Sequence, residues 1–314
     1  MQMRKLGSTG IEVAPLVFGG NVFGWTADKK TSFALLDAFL DAGFNAIDTA
    51  DVYSNFVPGN VGGESETIIG EWMKQRGVRQ RVTIITKVGL AMSEEKRGLK
   101  PDYVREACEA SLRRLQTDSI DVYLAHRADP SVPVEDTLEA FDGLIEAGKV
   151  RHVGASNYTA DQLEEAILAG GHGRARFEVL QPHYNLAQRG IYEGDLEKLC
   201  TRHRLGVIPY YALAGGFLTG KYRSKADIEG RARVISAAPY MNERGFSLLD
   251  ALETVASRHS ATLAQVALAW LMARPSITAP IASATSLAQL EDIMQSVKLD
   301  LTGEDMAELE AASQ

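Results

Sequence analysis

Several things are scarce in this chain of 314 residues. Only two cysteines occur, Cys108 and Cys200, and both fall in segments that read as helical. With no secretory leader in view, two lone thiols suit a reduced, cytoplasmic protein rather than a disulfide scaffold. No run approaches the ~18 apolar residues of a membrane span, so no membrane partner is expected. Basic runs are missing too, and the formal net charge is −8, which argues against nucleic acid as a partner. The six histidines form no H-x-H or H-E-x-x-H pattern, so no metal site is expected. No Pro/Ser-rich linker or compositional break divides the chain, which reads as one domain over 1–314.

What is present is an alternation of short apolar strands and amphipathic helices. A hairpin over 3–13 comes first, with a Gly-Ser-Thr-Gly turn between Leu6 and Ile11. A first strand follows at 15–20. The spacing then predicts strands at 44–47, 82–86, 120–125, 150–155, 178–181, 206–210 and 277–281. Helices are expected at 31–42, 64–76, 101–115, 135–147, 159–169, 192–204, 261–273 and 286–296, with two extra helices at 246–257 and 302–312. Eight strand–helix units of this length imply an α/β fold, a parallel (β/α)8 TIM barrel with an N-terminal β-hairpin and two extra helices. A doubly wound dinucleotide fold is disfavoured. Gly19-Gly20-Asn21-Val22-Phe23-Gly24 has the wrong spacing for G-x-G-x-x-G, and Gly215-Gly216-Phe217-Leu218-Thr219-Gly220 lies far downstream. Two long irregular segments, 54–63 and 212–245, are candidate loops over an active site.

In such a barrel chemistry sits at the carboxyl ends of the strands, so the exit residues are the informative ones. The strand at 44–47 exits to Asp48 and then Tyr53, the next to Lys87, and the next to His126. Further on, the exits are Ser156-Asn157, Gln181 and Tyr210-Tyr211. Each alone has a bland reading: Asp48 a cap, Tyr53 a rim aromatic, Lys87 a structural ion pair, His126 a satisfied rim histidine. A lone lysine ending an apolar strand is costly without a partner, and Asp48 on the neighbouring strand supplies one. Four titratable groups on adjacent strand ends favour a reactive cluster.

These residues resemble the aldo-keto reductase family. The matching pieces are Asp48-Thr49-Ala50-x-x-Tyr53, Thr86-Lys87, Asp121-Val122-Tyr123-Leu124-x-His126 and Gly148-Lys149-Val150-Arg151-x-x-Gly154-x-Ser156-Asn157. Gln181-x-x-Tyr184-Asn185 and Leu213-Ala214-x-Gly216-x-Leu218-Thr219-Gly220-Lys221 follow in the family's order. The resemblance implies an NAD(P)-dependent oxidoreductase acting on a small carbonyl or alcohol, with a tetrad of Asp48, Tyr53, Lys87 and His126. Tyr53 would be the acid or base. A free phenol titrates near about 10, and the Lys87 ammonium is expected to lower it. His126 would orient the carbonyl.

For the cofactor, the resemblance implies Ser156, Asn157 and Gln181 on the carboxamide, and Tyr210 with Tyr211 at the nicotinamide. It also implies the Leu213, Ala214, Gly215, Gly216 backbone on the diphosphate, and Ser283, Thr285 and Gln289 near the adenosine. Helix capping by Ser283, Thr285 or Ser286 is the plainer reading of the last group. NADP is the family default. The absence of Arg or Lys in Ala282-Ser283-Ala284-Thr285-Ser286 makes NAD possible, unless a cation from 221–233 compensates. The 54–63 segment is longer than in many relatives. Its Phe56, Val57 and Pro58, with Phe23, Trp25 and Tyr211, are candidates for an apolar substrate wall.

Two other functions compete. One is a cofactor-binding regulatory subunit related to potassium-channel beta subunits. The other is a lysine Schiff-base barrel enzyme acting through Lys87, which the Tyr53–His126 pair argues against. No oligomeric state, monomer or homo-oligomer, is assigned.

Overall fold

Short apolar strands that alternate with amphipathic helices bury both faces of a parallel sheet, and the chain does so here. The computed structural model describes residues 1–170, 175–224, 227 and 234–314. An antiparallel hairpin, β1 (Arg4–Lys5) and β2 (Glu12–Val13), comes first. Eight parallel strands follow: β3 (Val17–Gly19), β4 (Ala46–Asp48), β5 (Thr83–Val88), β6 (Ile120–Ala125), β7 (Val150–Ser156), β8 (Phe177–Gln181), β9 (Gly206–Val207) and β10 (Ile281–Ala282). Their spatial order is β10-β3-β4-β5-β6-β7-β8-β9. Thr278 N donates to Val207 O at 2.8 Å and Ile281 N to Pro209 O at 2.9 Å, and these bonds draw the two ends of the sheet together.

Helices α1 (Lys29–Asp41), α2 (Glu64–Arg76), α3 (Pro101–Leu115), α4 (Val134–Glu146), α5 (Ala160–Gly170) and α6 (Asp195–His203) cover the outside. After a single turn, α7 (Val234–Ala237), come α8 (Glu243–His259), α9 (Leu263–Ala273), α10 (Leu287–Gln295) and α11 (Gly303–Ala312). The two extra helices expected from the sequence are α8 and α11. They are tied together by Asp305, which accepts from Arg258 at 2.9 Å and pairs with His259 at 2.8 Å. None of the described helices is long and apolar enough to cross a membrane.

Most boundaries differ from the expected ones by one to three residues, each for a local reason. Asp28 starts α1 early by accepting from Thr31 N at 2.7 Å. Gly194, at φ 100°, delays α6 to Asp195. Thr262 and Gln265 form a reciprocal capping box, so α9 starts at Leu263. The strand expected at 206–210 ends at Val207, because Pro209 has no N–H for a ladder. The strand expected at 277–281 pairs only over 281–282. Its earlier residues instead bond across the seam to 207–209.

Two hydrophobic layers result. The larger lies between barrel and helices, and the smaller fills the barrel interior with Val17, Ala46, Ile85, Val122, Leu124, Val179, Ile208 and Ile281. Leu6 and Val13 from the hairpin belong to the interior layer, so the hairpin closes the barrel floor. Side chains alternate along a strand with a period of two. The residue two positions beyond each interior apolar side chain therefore sits above the core: Asp48 over Ala46, Lys87 over Ile85, His126 over Leu124, Gln181 over Val179 and Tyr210 over Ile208. A Cβ added at Gly154, on β7, would run into Val179 O, so this strand approaches β8 closely beneath Ser156.

Candidate active site

The cluster begins at the end of β4. Asp48 is 2 % exposed and Lys87 is fully buried. The ammonium lies 2.8 Å from Asp48 Oδ1 and 2.9 Å from Oδ2. It also donates to Thr49 O at 2.6 Å and to Tyr53 Oη at 2.8 Å. Three classes of acceptor thus use its three protons, and the buried charge is fully satisfied. Tyr53, partly exposed, lies 3.3 Å from Asp48 Oδ2, with the ammonium 4.6 Å from its ring centre. His126 is 7 % exposed, its ring centre 6.2 Å from that of Tyr53 in an edge-on arrangement. All four residues expected at the strand ends are therefore together.

Their electrostatics differ from the expectation at one point. Burial, reinforced by the Asp48 carboxylate, pushes the Tyr53 phenol well above its ordinary range. The pull of Lys87 does not overcome this, because the same ammonium is already neutralised by Asp48 and is itself pushed down by burial. Tyr53 is thus held as a protonated phenol rather than poised as a phenolate. Burial, together with the Lys87 and Arg127 charges, pushes His126 well below its ordinary value, so its ring is neutral.

The residues expected to hold a cofactor form a second, contiguous network. Gln181 Nε2 donates to Asp48 Oδ1 at 2.7 Å, and Ser156 Oγ donates to Gln181 O at 2.9 Å. Asn157, at φ 57°, donates to His126 O at 3.0 Å and accepts from Tyr210 Oη at 2.6 Å. Tyr210 stacks on His183, centre to centre 5.3 Å and 26° apart. Tyr211, 43 % exposed, reaches Ser236 Oγ at 3.2 Å. Ala214, Gly215 and Gly216 follow Leu213 with φ 50°, 66° and 95°. These make a tight turn, in which Ala214 N donates to Tyr211 O at 2.7 Å and Gly216 N to Leu213 O at 2.8 Å. Lys221 lies beside it, since a Cβ on Gly216 would stand 3.0 Å from Lys221 Nζ.

The residues expected near the adenosine lie close to the first strand and satisfy their hydrogen bonds within the protein. Ser283 Oγ donates to Asn21 Oδ1 at 2.6 Å, and Thr285 Oγ1 donates to Gln289 Oε1 at 3.0 Å. Of the three capping candidates only Ser286 caps α10, accepting from Gln289 N at 3.3 Å. The cations Lys225, Arg231 and Arg233 of the 221–233 segment lie outside the described residues. Arg223 is paired with Asp250 at 2.8 Å and Glu253 at 2.7 Å.

The aromatics expected to form a substrate wall do not stay together. Phe23 is fully buried and stacks on Phe18 at 5.3 Å, so it belongs to the core. Trp25 and Phe56 meet edge-on at 5.0 Å, and Phe56 is 63 % exposed. The 54–63 segment is stitched down rather than free. Ser54 Oγ donates to Phe23 O at 2.8 Å and Asn60 Nδ2 to Gly24 O at 3.0 Å. Sequence reasoning missed Asp51, Asn21, His183 and the anchoring role of Thr49 O. Of these, only Asp51 carried a signal, as the second acid of the Asp48 to Tyr53 stretch.

A phenol, an ammonium and a carboxylate are thus joined above the core of a parallel barrel, beside a glycine-rich turn. The aldo/keto reductase family matches residues 15–314, and the chain belongs to that family. Such proteins act on small-molecule carbonyl substrates with NAD(P)H. The chain is 34% identical to the uncharacterized oxidoreductase YrpG of Bacillus subtilis, over 97% of this chain and 93% of that protein. It is 33% identical to a probable voltage-gated potassium channel subunit beta of Arabidopsis thaliana, over 95% and 91% respectively. Identity to the aldo-keto reductase AMT2 of Alternaria alternata is 32%, over 98% and 90%.

Proposed function

We propose that this oxidoreductase reduces aldehydes or ketones to alcohols, or runs the reverse reaction, with Tyr53 as general acid or base. The observation that carries this reading is the Lys87 ammonium, shared at hydrogen-bond distance by Asp48 and Tyr53 Oη. When bound, the reduced nicotinamide supplies the hydride. Tyr53 Oη gives its proton to the carbonyl oxygen, and the Lys87 N–H already directed at Tyr53 Oη stabilises the phenolate left behind. Asp48 holds the ammonium, and Gln181 holds Asp48. Neutral His126 directs a ring N–H at the carbonyl and fixes which way it points. In oxidation the same groups act in reverse.

The residues present fit a nicotinamide dinucleotide. Ser156, Asn157 and Gln181 would hold the carboxamide, Tyr210 and Tyr211 the ring, and the Leu213, Ala214, Gly215, Gly216 backbone with Lys221 the diphosphate. Ser283, Thr285 and Gln289 would face the adenosine. NADP is our choice as the cofactor, with NAD the alternative. Trp25 and Phe56 form the substrate wall, and 54–63 and 212–245 are the loops bounding the site. Residues 1–314 act as one domain, in the cytoplasm.

The test is steady-state reduction of a reactive aromatic aldehyde with NADPH and with NADH, by wild type and Lys87→Met. Loss of roughly 10²-fold or more in kcat in the variant is expected. Equal rates would remove Lys87 from the chemistry, and a preference for NADH would overturn the cofactor choice. A second reading, a regulatory subunit, rests on two plant relatives named as probable potassium channel beta subunits, at 33% and 34% identity. It predicts dinucleotide binding without multiple turnover of any carbonyl tried.

A further inference from the structure

Three residues after Asp48, the chain buries a second carboxyl that the proposed chemistry does not use. Asp51 is fully buried, and neither of its oxygens has a well-formed hydrogen bond among the described residues, although the adjacent Val52 amide lends the charged form some support. Its own amide donates to Lys87 O at 3.3 Å, which ties it to the strand end that carries the ammonium. Every element packed around it presents a titratable group. Glu66 comes from α2, Arg114 and Tyr103 from α3, Lys87 from β5 and Tyr123 from β6.

The charges among these groups are already matched without Asp51. Arg114 Nε donates to Glu66 Oε2 at 2.7 Å, and Thr86 Oγ1 donates to Glu66 Oε1 at 2.6 Å, so Glu66 takes the one nearby guanidinium. Lys87 is matched by Asp48. Tyr103 Oη and Tyr123 Oη are buried with no hydrogen-bond partner among the described residues and held as neutral phenols. An ionised Asp51 would be a buried charge with no cation of its own, the arrangement that proteins avoid by keeping the group protonated.

We propose that Asp51 is a positioning residue for the Lys87–Tyr53 pair, held as a neutral carboxylic acid in the working enzyme so that Asp48 is the one carboxylate the ammonium answers to. The inference rests on the oxidoreductase reading. Burial and the neighbouring Glu66 charge, opposed by Arg114, push the Asp51 carboxyl up to about 8. Ionisation there places a second carboxylate charge behind the ammonium. This weakens the ammonium's support of the Tyr53 oxygen as the proton leaves, and so slows proton delivery to the carbonyl.

The experiment is the pH profile of kcat for aldehyde reduction by wild type and Asp51→Asn, each normalised to its own rate at about pH 6.5. One proton lost at about 8 leaves roughly a tenth of the neutral form at about pH 9, so wild type is expected to fall about tenfold by then. Asp51→Asn, which cannot ionise, is expected to fall less than about twofold. A purely structural role would lower both limbs alike. Superimposable normalised profiles with turnover intact overturn the role of Asp51 alone. No turnover in wild type overturns the oxidoreductase reading and this role with it. Should the variant not fold, infrared titration of wild type decides. A protonated-carboxyl band that disappears between about pH 7 and 9 supports the proposal, and its absence at about pH 6.5 overturns it.

Discussion

At the scale of single residues, the decisive fact is that Lys87 has no access to water and depends on one carboxylate. Removing either partner of such a pair leaves a bare buried charge, which costs about 3–5 kcal/mol, whereas replacing both by apolar chains of similar volume costs far less. Asp48→Ala and Lys87→Met should therefore each lower stability by about that amount, and the double variant Asp48→Leu/Lys87→Met by clearly less than the sum, as read from denaturant midpoints. Additive losses would contradict the burial argument. His126 makes a second residue-scale prediction. Because burial and two cations push it well below its ordinary value, kcat should show no limb between about pH 5.5 and 7. An inflection there that vanishes in His126→Asn would contradict a neutral ring.

The positions of these residues were legible in the sequence because a strand's period of two is strict. Ala46, Ile85, Leu124, Val179 and Ile208 point inward, so Asp48, Lys87, His126, Gln181 and Tyr210 must stand above them. The proton affinity of Tyr53 was not legible. It depends on how far Asp48 cancels Lys87, and on burial that no spacing reports.

At the scale of elements, the 54–63 segment changes character between sequence and structure. Its Gly, Pro and Asn content reads as a lid, yet Ser54 and Asn60 tie it to the Phe23–Gly24 backbone. Those bonds are side chain to backbone across 31 and 36 residues, and hydrophobic periodicity carries no trace of them. A fixed wall that exposes Phe56 should act on binding more than on chemistry. Phe56→Ala is expected to raise KM for an aromatic aldehyde roughly tenfold, the scale of a lost apolar contact, with kcat within about threefold. A fall in kcat with KM unchanged would place Phe56 away from the substrate. The same holds for Phe23, expected in that wall and turned into the core by its stacking on Phe18.

At the scale of the whole molecule, the buried Asp51 leaves a mark on stability against pH. Its folded value is raised above the unfolded one. Its contribution is therefore complete below about 4 and is lost as pH rises through about 8. Thermal stability should fall across that window with a slope approaching roughly 1.4 kcal/mol per pH unit from this one group, and Asp51→Asn should flatten it. A slope unchanged in the variant would mean that the carboxyl finds a partner. The fold itself was largely legible, since eight strand–helix units leave few alternatives to a closed parallel barrel. The seam between β9 and β10 was the exception. There Pro209 interrupts the ladder, and Thr278 and Ala279 bond across the gap to Val207 instead of along their own strand.

The central claim, that Tyr53 delivers the proton, is tested most directly by single-turnover reduction of an aldehyde by Tyr53→Phe and wild type. Dinucleotide affinity should be measured alongside by fluorescence. The substitution removes one oxygen and leaves Lys87, Asp48 and the 213–216 turn in place. The account predicts unchanged dinucleotide affinity and a chemical step slower by about 10²–10⁴-fold. A variant that binds the dinucleotide and reduces the aldehyde as fast as wild type would contradict it.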